Sequence, residues 1–274
     1  MTDTATISRT ALMAAAARAA HLIVDGEPHV FVDSLAGALL GEQAEELLQY
    51  HRLHGEHPVL AGARAQVVCR GRYAEDTLRG SGYEQYVVLG AGLDSYAYRA
   101  SDGVRVFEVD RAATQRYKRN ALRTAGIPEA AAYVPADFER DDLLEGLVAH
   151  GFDPRRPAVV GWLGVTMYLT EAAIERTVAA VARLGAGTIL VLDHMVPEAD
   201  RDAAGQAYVE AVGPVNAQHG EPWLSFLSPA GLAALLARHG MRAEHTNQHE
   251  ILGERTDALR PSNLAWITRG TLAP

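Results

Sequence analysis

A glycine turn and the carboxylates around it carry the chemistry most legible in this chain. Tyr86-Val87-Val88-Leu89-Gly90-Ala91-Gly92-Leu93-Asp94-Ser95 is a short apolar run entering a glycine-rich turn. Val104-Arg105-Val106-Phe107-Glu108-Val109-Asp110 follows, a second apolar run that ends in acid. Two consecutive strands with these ends describe half of a Rossmann-like sheet built for an adenosine ligand. Gly90 and Gly92, flanking Ala91, let backbone approach that ligand, and Asp110 can accept both ribose hydroxyls. A dinucleotide fingerprint would place its third glycine where Ser95 stands, and Asp94 would repel a pyrophosphate. S-adenosyl-L-methionine carries a sulfonium and an ammonium and no phosphate, so the same acid is tolerable. The residues favour that cofactor over a nicotinamide dinucleotide.

The elements that must position these groups can be read from periodicity. Strands are expected at 86–90, 104–110, 131–135, 158–164, 187–193, 241–246 and 263–268, with helices after the first, second, fourth and fifth. Continuous apolar runs such as Thr188-Ile189-Leu190-Val191-Leu192 suit strands buried on both faces of a parallel sheet. Ser228-Pro229 opens a helix closed by Gly240. The first eighty residues read as a helical cover: an alanine-rich run from Ser8, a Glu-rich run after Gly41 and a third run ending near Gly80. The expected division is thus 1–80 as cover and 81–274 as core. Residues 197–225, with Gly, Pro, His and aromatics but little regular pattern, read as a substrate lid. Ligands in such sheets bind at the carboxyl ends of strands, where Asp94, Asp110, Asp137 and His194 all fall.

Composition narrows the class. The 274 residues suffice for one large α/β domain with a sizeable core. The formal net charge is -9, and no Lys/Arg stripe forms, so neither nucleic acid nor an anionic membrane is expected as a partner. Cys69 is the sole cysteine, which excludes an internal disulfide framework and disfavours a thiolate metal site. The spacing of His51, His54 and His57 lacks the carboxylates or cysteines of a metal site and reads as a solvated helix end. The stretch 159–169 is too short to cross a bilayer, and no signal peptide is evident, so a cytoplasmic protein is expected. Nothing in the sequence argues against a homo-oligomer.

Taken together, these segments resemble the leucine carboxyl methyltransferase superfamily, in particular its bacterial S-adenosylmethionine-dependent O-methyltransferases of polyketide and other secondary metabolism. The resemblance rests on Thr10-Ala11-Leu12, Ala17-Arg18-Ala19, Arg70-Gly71-Arg72, the block from Leu89 through Arg99, and Phe107-Glu108-Val109-Asp110. Asp137-Phe138, Gly164-Val165-Thr166-Met167-Tyr168-Leu169 and Gly220-Glu221-Pro222-Trp223 follow in the same order. It implies a class I methyltransferase fold, a seven-stranded and mostly parallel α/β sheet with a lid after the fifth strand. It implies that Arg70, with Arg72, holds the cofactor's methionine carboxylate, that Gly90, Ala91 and Gly92 line methionine and ribose, and that Asp94, Asp110 and Arg111 border them. Asp137 and Phe138 would receive the adenine. Where the family usually carries Glu before the glycine of its Glu-Gly-x-x-Met-Tyr-Leu segment, this chain has Leu163.

The expected reaction is methyl transfer to a carboxyl or hydroxyl of a small, polyketide-like or aromatic acceptor. A carboxylate needs no base, whereas a hydroxyl benefits from one near neutral pKa. His194 is the first candidate for that base, His219 a weaker one, and Tyr168 a residue that could touch acceptor or cofactor. Leu163 motivates a second reading, a protein of this fold that binds the cofactor without transferring methyl. Calorimetric titration with S-adenosylmethionine, S-adenosylhomocysteine and NAD tests the cofactor: micromolar binding of the S-adenosyl ligands, lost in Asp110→Ala, is expected, and binding of NAD alone would reverse the assignment.

Overall fold

In the computed structural model, residues 7–100, 103–254 and 258–273 are described. Seven strands form one sheet: β1 (Gln85–Leu89), β2 (Arg105–Asp110), β3 (Ala132–Pro135), β4 (Val159–Trp162), β5 (Ile189–Met195), β6 (Met241–Asn247) and β7 (Ala265–Leu272). Their order is β3-β2-β1-β4-β5-β7-β6. The first five are parallel, and β7 runs antiparallel to both β5 and β6. The order reverses between β1 and β4, which makes their carboxyl ends the expected ligand crevice.

The helices are α1 (Arg9–Val24), α2 (Ala36–Leu39), α3 (Ala44–His54), α4 (Pro58–Ser81), α5 (Tyr96–Arg99), α6 (Ala112–Thr124), α7 (Leu143–Ala149), α8 (Glu171–Val181), α9 (Ala203–Gln218), α10 (Pro229–Arg238) and α11 (Gln248–Leu252). Alternation along each strand divides the core into two layers. Val87, Leu89, Val160, Trp162, Leu190 and Leu192 pack under α7, α8 and α10. Tyr86, Val88, Val159, Ile189 and Val191 pack under α4. Helix α4 therefore lies directly on the sheet, and α1 packs on α4, α3 and α2.

Two elements differ from the sequence expectation. The segment after β5 contains the sixteen-residue helix α9, which runs through Gly213 and Pro214. Asp202 caps it by accepting from the Gly205 amide, and the cluster that includes Tyr208 and Val209 anchors it. A short helix, α7, also follows β3, capped by Asp142.

His51 is not at a solvated terminus either. It is buried against Arg64, whose Nη1 lies 3.4 Å from its Nδ1. Arg64 in turn makes a bidentate pair with Asp25 at 2.8 and 2.9 Å, and His21 closes the cluster on Asp25 at 2.9 Å. This group joins α1, α3 and α4 through one fully buried guanidinium. His54 and His57 are exposed as expected, and His57 caps α4. No described helix is long and apolar enough to cross a membrane.

Candidate functional site

The site begins where β1 must leave the sheet. Gly90 and Gly92 adopt φ of +65° and +48°, in the left-handed region that favours glycine. The turn is held by backbone bonds from Gly90 and Ala91 to the Val109 carbonyl. It is also held by the Gly92 amide, which donates to Asp110 Oδ2 at 2.6 Å. Asp110 Oδ1 accepts from the Arg111 amide at 2.7 Å. Burial pushes the Asp110 carboxyl above its ordinary range, against these two bonds. The Arg111 side chain is exposed beyond it. Asp94 turns its carboxylate back onto the Tyr96 amide at 2.9 Å.

Across the switch point, β4 ends in a second sharp turn. Gly164 has φ of +74°, and a Cβ there would lie 2.4 Å from Arg70 Nη2, so only glycine lets the guanidinium lie over this backbone. Arg70 Nη1 donates to Asp193 Oδ2 at 2.9 Å, and Asp193 Oδ1 accepts from the Gly164 amide at 2.5 Å. Asp193 is 2% exposed and is the residue that sequence reasoning missed. Arg72, two positions from Arg70 on α4, points elsewhere: it bonds Asp76 at 3.2 Å and the Val30 carbonyl at 3.4 Å. Two residues apart on a helix is more than half a turn, so the two guanidinia cannot share one ligand group. Leu163 packs with the apolar layer under α4. Val165 lies against Gly90, where its Cγ2 would stand 2.4 Å from a Cβ.

Asp137 lies beyond β3, where its Oδ1 accepts from the Glu139 amide at 3.0 Å. Phe138 sets its ring 6.3 Å from that of Trp162. The carboxyl ends of β3, β2, β1, β4 and β5 thus present Asp137, Asp110, Asp94, Leu163 and Asp193 in sheet order.

His194 is turned away from this edge. It is 1% exposed, its Nδ1 donates to the Leu227 carbonyl at 2.7 Å, and its Nε2 faces the Thr268 hydroxyl at 3.0 Å. Thr268 also receives His245 Nδ1 at 2.8 Å, so the bonds run from His245 through Thr268 to His194. Both His194 nitrogens are committed on the face opposite Asp193. His219 is exposed, 3.1 Å from Arg9 Nη1 and bonded to the Val215 carbonyl.

Tyr168 does lie at the site's rim. Its hydroxyl is in the neighbourhood of Thr10, Trp223, Arg70 and Glu221, and burial raises its pKa, so it stays a neutral phenol. It belongs to an apolar cluster with Met167, Met195, Leu264, Tyr208, Trp223 and Phe226. Tyr208 stacks on Trp223 with ring centroids 6.4 Å apart, and the buried Trp223 Nε1 has the Tyr168 hydroxyl as its polar neighbour. The lid closes on the start of α1, where the Thr10 amide donates to Glu221 Oε2 at 3.1 Å. The next residue, Ala11, sits against Gly92.

A profile of the leucine carboxyl methyltransferase family matches residues 11–182. The chain belongs to that family. A Bacillus subtilis relative, YktD, named as an inferred S-adenosyl-L-methionine-dependent methyltransferase, is 28% identical over 277 residues, covering 89% of this chain and 90% of its own. A Mycobacterium avium relative with the same description is 31% identical, covering 97% of this chain and 80% of its own. Among solved structures, a DUF574 family protein from Streptomyces avermitilis superposes with a TM-score of 0.60 at 16% identity, over 94% of this chain and 97% of the other. Human N-acetylserotonin methyltransferase, solved with S-adenosylmethionine, superposes with 0.52 at 12% identity, over 82% and 59%. The family and its relatives make this chain an S-adenosylmethionine-dependent methyltransferase with the expected seven-stranded fold.

Burial pushes the His194 imidazole down from its ordinary value to about 4, with the Leu227 bond and the Asp193 charge opposing only in part. Its contribution to stability is full above the unfolded-state value near 6.5 and is lost as pH falls toward 4, because the unfolded chain binds the extra proton there. Urea unfolding across that window is expected to show a shallower loss of stability in His194→Gln than in the parent protein. Equal slopes would mean that His194 titrates normally and is not held neutral.

Proposed function

We propose that this methyltransferase esterifies the carboxylate of a small aromatic or polyketide-like acid. The observation that carries the reading is the commitment of His194 on the far face of β5. A hydroxyl acceptor must give up a proton and calls for a base, whereas a carboxylate is already ionised at neutral pH. Beside the Glu221 carboxylate, the Tyr168 hydroxyl and the Trp223 Nε1 would be the hydrogen-bond donors offered to an acceptor. The stacked rings of Tyr208 and Trp223 would form the wall for a planar acid.

The donor set fits the cofactor. S-adenosylmethionine, when bound, supplies a methyl group on a sulfonium that is already an activated leaving group. Arg70 spends one N–H on Asp193 and keeps the rest of its fork for the cofactor's carboxylate. Asp110 would meet the ribose with the acceptor capacity left beyond its two backbone bonds and the Thr114 hydroxyl. Asp137 would accept from the adenine amino group beside Phe138, and the charge of Asp94 favours the cationic end. The turn of Gly90, Ala91 and Gly92 would border the methionine and ribose, with Ala11 packed against Gly92. Val165 lies over Gly90 and would mark how deeply the ligand can settle. The start of α1, Tyr168 and the lid would exclude water and hold the acceptor in line, which is most of what such a displacement needs.

Two measurements test this. With methyl-labelled cofactor and matched aromatic acids and phenols, label is expected in an alkali-labile ester; label in an alkali-stable phenol ether would sink the carboxylate reading. For Arg70→Lys, whose ammonium cannot serve two carboxylates as a fork, S-adenosylhomocysteine should bind about tenfold more weakly. Methylthioadenosine, which lacks the amino-acid end, should bind unchanged; equal loss for both ligands would remove Arg70 from that role.

A further inference from the structure

Ser95 stands where a dinucleotide-binding turn would carry its third glycine, and its hydroxyl is fully buried. That hydroxyl donates to Asp33 Oδ1 at 2.5 Å and accepts from Arg99 Nε at 2.7 Å. Asp33, 1% exposed, also accepts from the Leu35 amide and takes Arg18 Nε on its Oδ2 at 2.8 Å. Arg18, so fixed, donates from Nη2 to the Leu93 carbonyl at 2.6 Å. Arg99 completes the group by pairing with Glu75 on α4 and lying over the Phe31 ring. Burial raises the Asp33 carboxyl, but Arg18, Arg99 and the Ser95 hydroxyl outweigh it and hold it below the usual carboxylate range.

The cofactor turn is therefore gripped from two sides. On the ligand side Asp110 takes the Gly92 amide. On the rear, Asp33 takes Ser95 directly and Leu93 through Arg18. A turn with two glycines is soft, and a ligand that must order it loses affinity to that ordering. Holding Leu93 and Ser95 in place beforehand removes that loss.

We propose that Asp33 and Ser95 are positioning residues for the cofactor: their contact fixes the Gly90–Ser95 turn from behind and ties its geometry to helix α1. The proposal rests on the assignment of S-adenosyl ligands to that turn. The experiment is calorimetric titration of S-adenosylhomocysteine into the parent protein, Ser95→Ala, Asp33→Asn and the double variant, with unfolding temperatures of the ligand-free forms. Each single variant is expected to bind about tenfold more weakly. The double variant should be no weaker than the worse single, because the effect of Ser95 passes through Asp33. A purely structural role would lower the unfolding temperature and leave the dissociation constant of the folded protein alone. A constant within about twofold of the parent's in Ser95→Ala, which keeps every charge, overturns the proposal. If Asp33→Asn does not fold, Ser95→Ala decides by itself. Absence of binding by the parent protein would overturn the cofactor assignment, and the proposal with it.

Discussion

Parallel strands that end together leave a particular problem: each chain must turn sharply away, and the amides of the turn lose their ladder partners. Here carboxylates from neighbouring strands supply the missing acceptors. Asp110 at the end of β2 takes the amide of Gly92 after β1, and Asp193 near the end of β5 takes the amide of Gly164 after β4. Hydrogen bonds to a charged acceptor contribute roughly 1.5–3 kcal/mol each, and both lie in partly or fully dry surroundings. The two turns they hold are those on either side of the switch point. The same two carboxylates thus fix the turns on both sides of the switch point, and the geometry of this edge cannot be separated from the fold's solution for its strand ends.

The roof follows from a second economy of partners. Helix α1 has unpaired amides at its start, and the lid brings Glu221 to one of them, at Thr10. Arg9 reaches His219 one step further along the lid. Since Ala11 rests on Gly92, closing the lid on α1 and closing α1 on the turn are one arrangement. Arg18, about two turns further along α1, meets the back of the same turn. A single helix therefore touches the segment after β5 and the glycine turn at its start and the rear network at its middle.

Much of this was legible in the sequence for physical reasons. Strands β1, β4 and β5 announced themselves as largely continuous apolar runs, the turn by glycines at positions where the backbone adopts positive φ, and α10 by its Ser-Pro start. Helix α9 was hidden because Gly205, Gly213 and Pro214 weaken the helical pattern, while the aromatic cluster that holds it is tertiary. Ser95 read as a defect in a nucleotide turn because its partner, Asp33, lies 62 residues earlier. His194 drew attention as a titratable group at a strand end, but its neighbour faces the site. Val191 and Leu192 are both apolar, as they must be in a strand covered on two sides, so the sequence held no cue to which face each residue takes. Arg70 and Arg72 carried the opposite lesson, for helical geometry alone separates them.

The exchange at Leu163 then has a structural logic. In the parallel pairing of β4 with β5, Trp162 stands beside Leu192. One step further brings position 163 beside Asp193, and both side chains turn to the α4 face, Leu163 into its apolar layer and Asp193 onto Arg70. A glutamate at 163 would set a second carboxylate next to a nearly fully buried one, and neighbouring like charges of that kind repel and push each other's pKa upward. With Asp193 already holding both Arg70 and the Gly164 amide, an apolar residue beside it satisfies the packing without that repulsion. The apolar residue at 163 is thus compatible with the packing of this edge, where Arg70 is already paired with Asp193 on the adjacent strand.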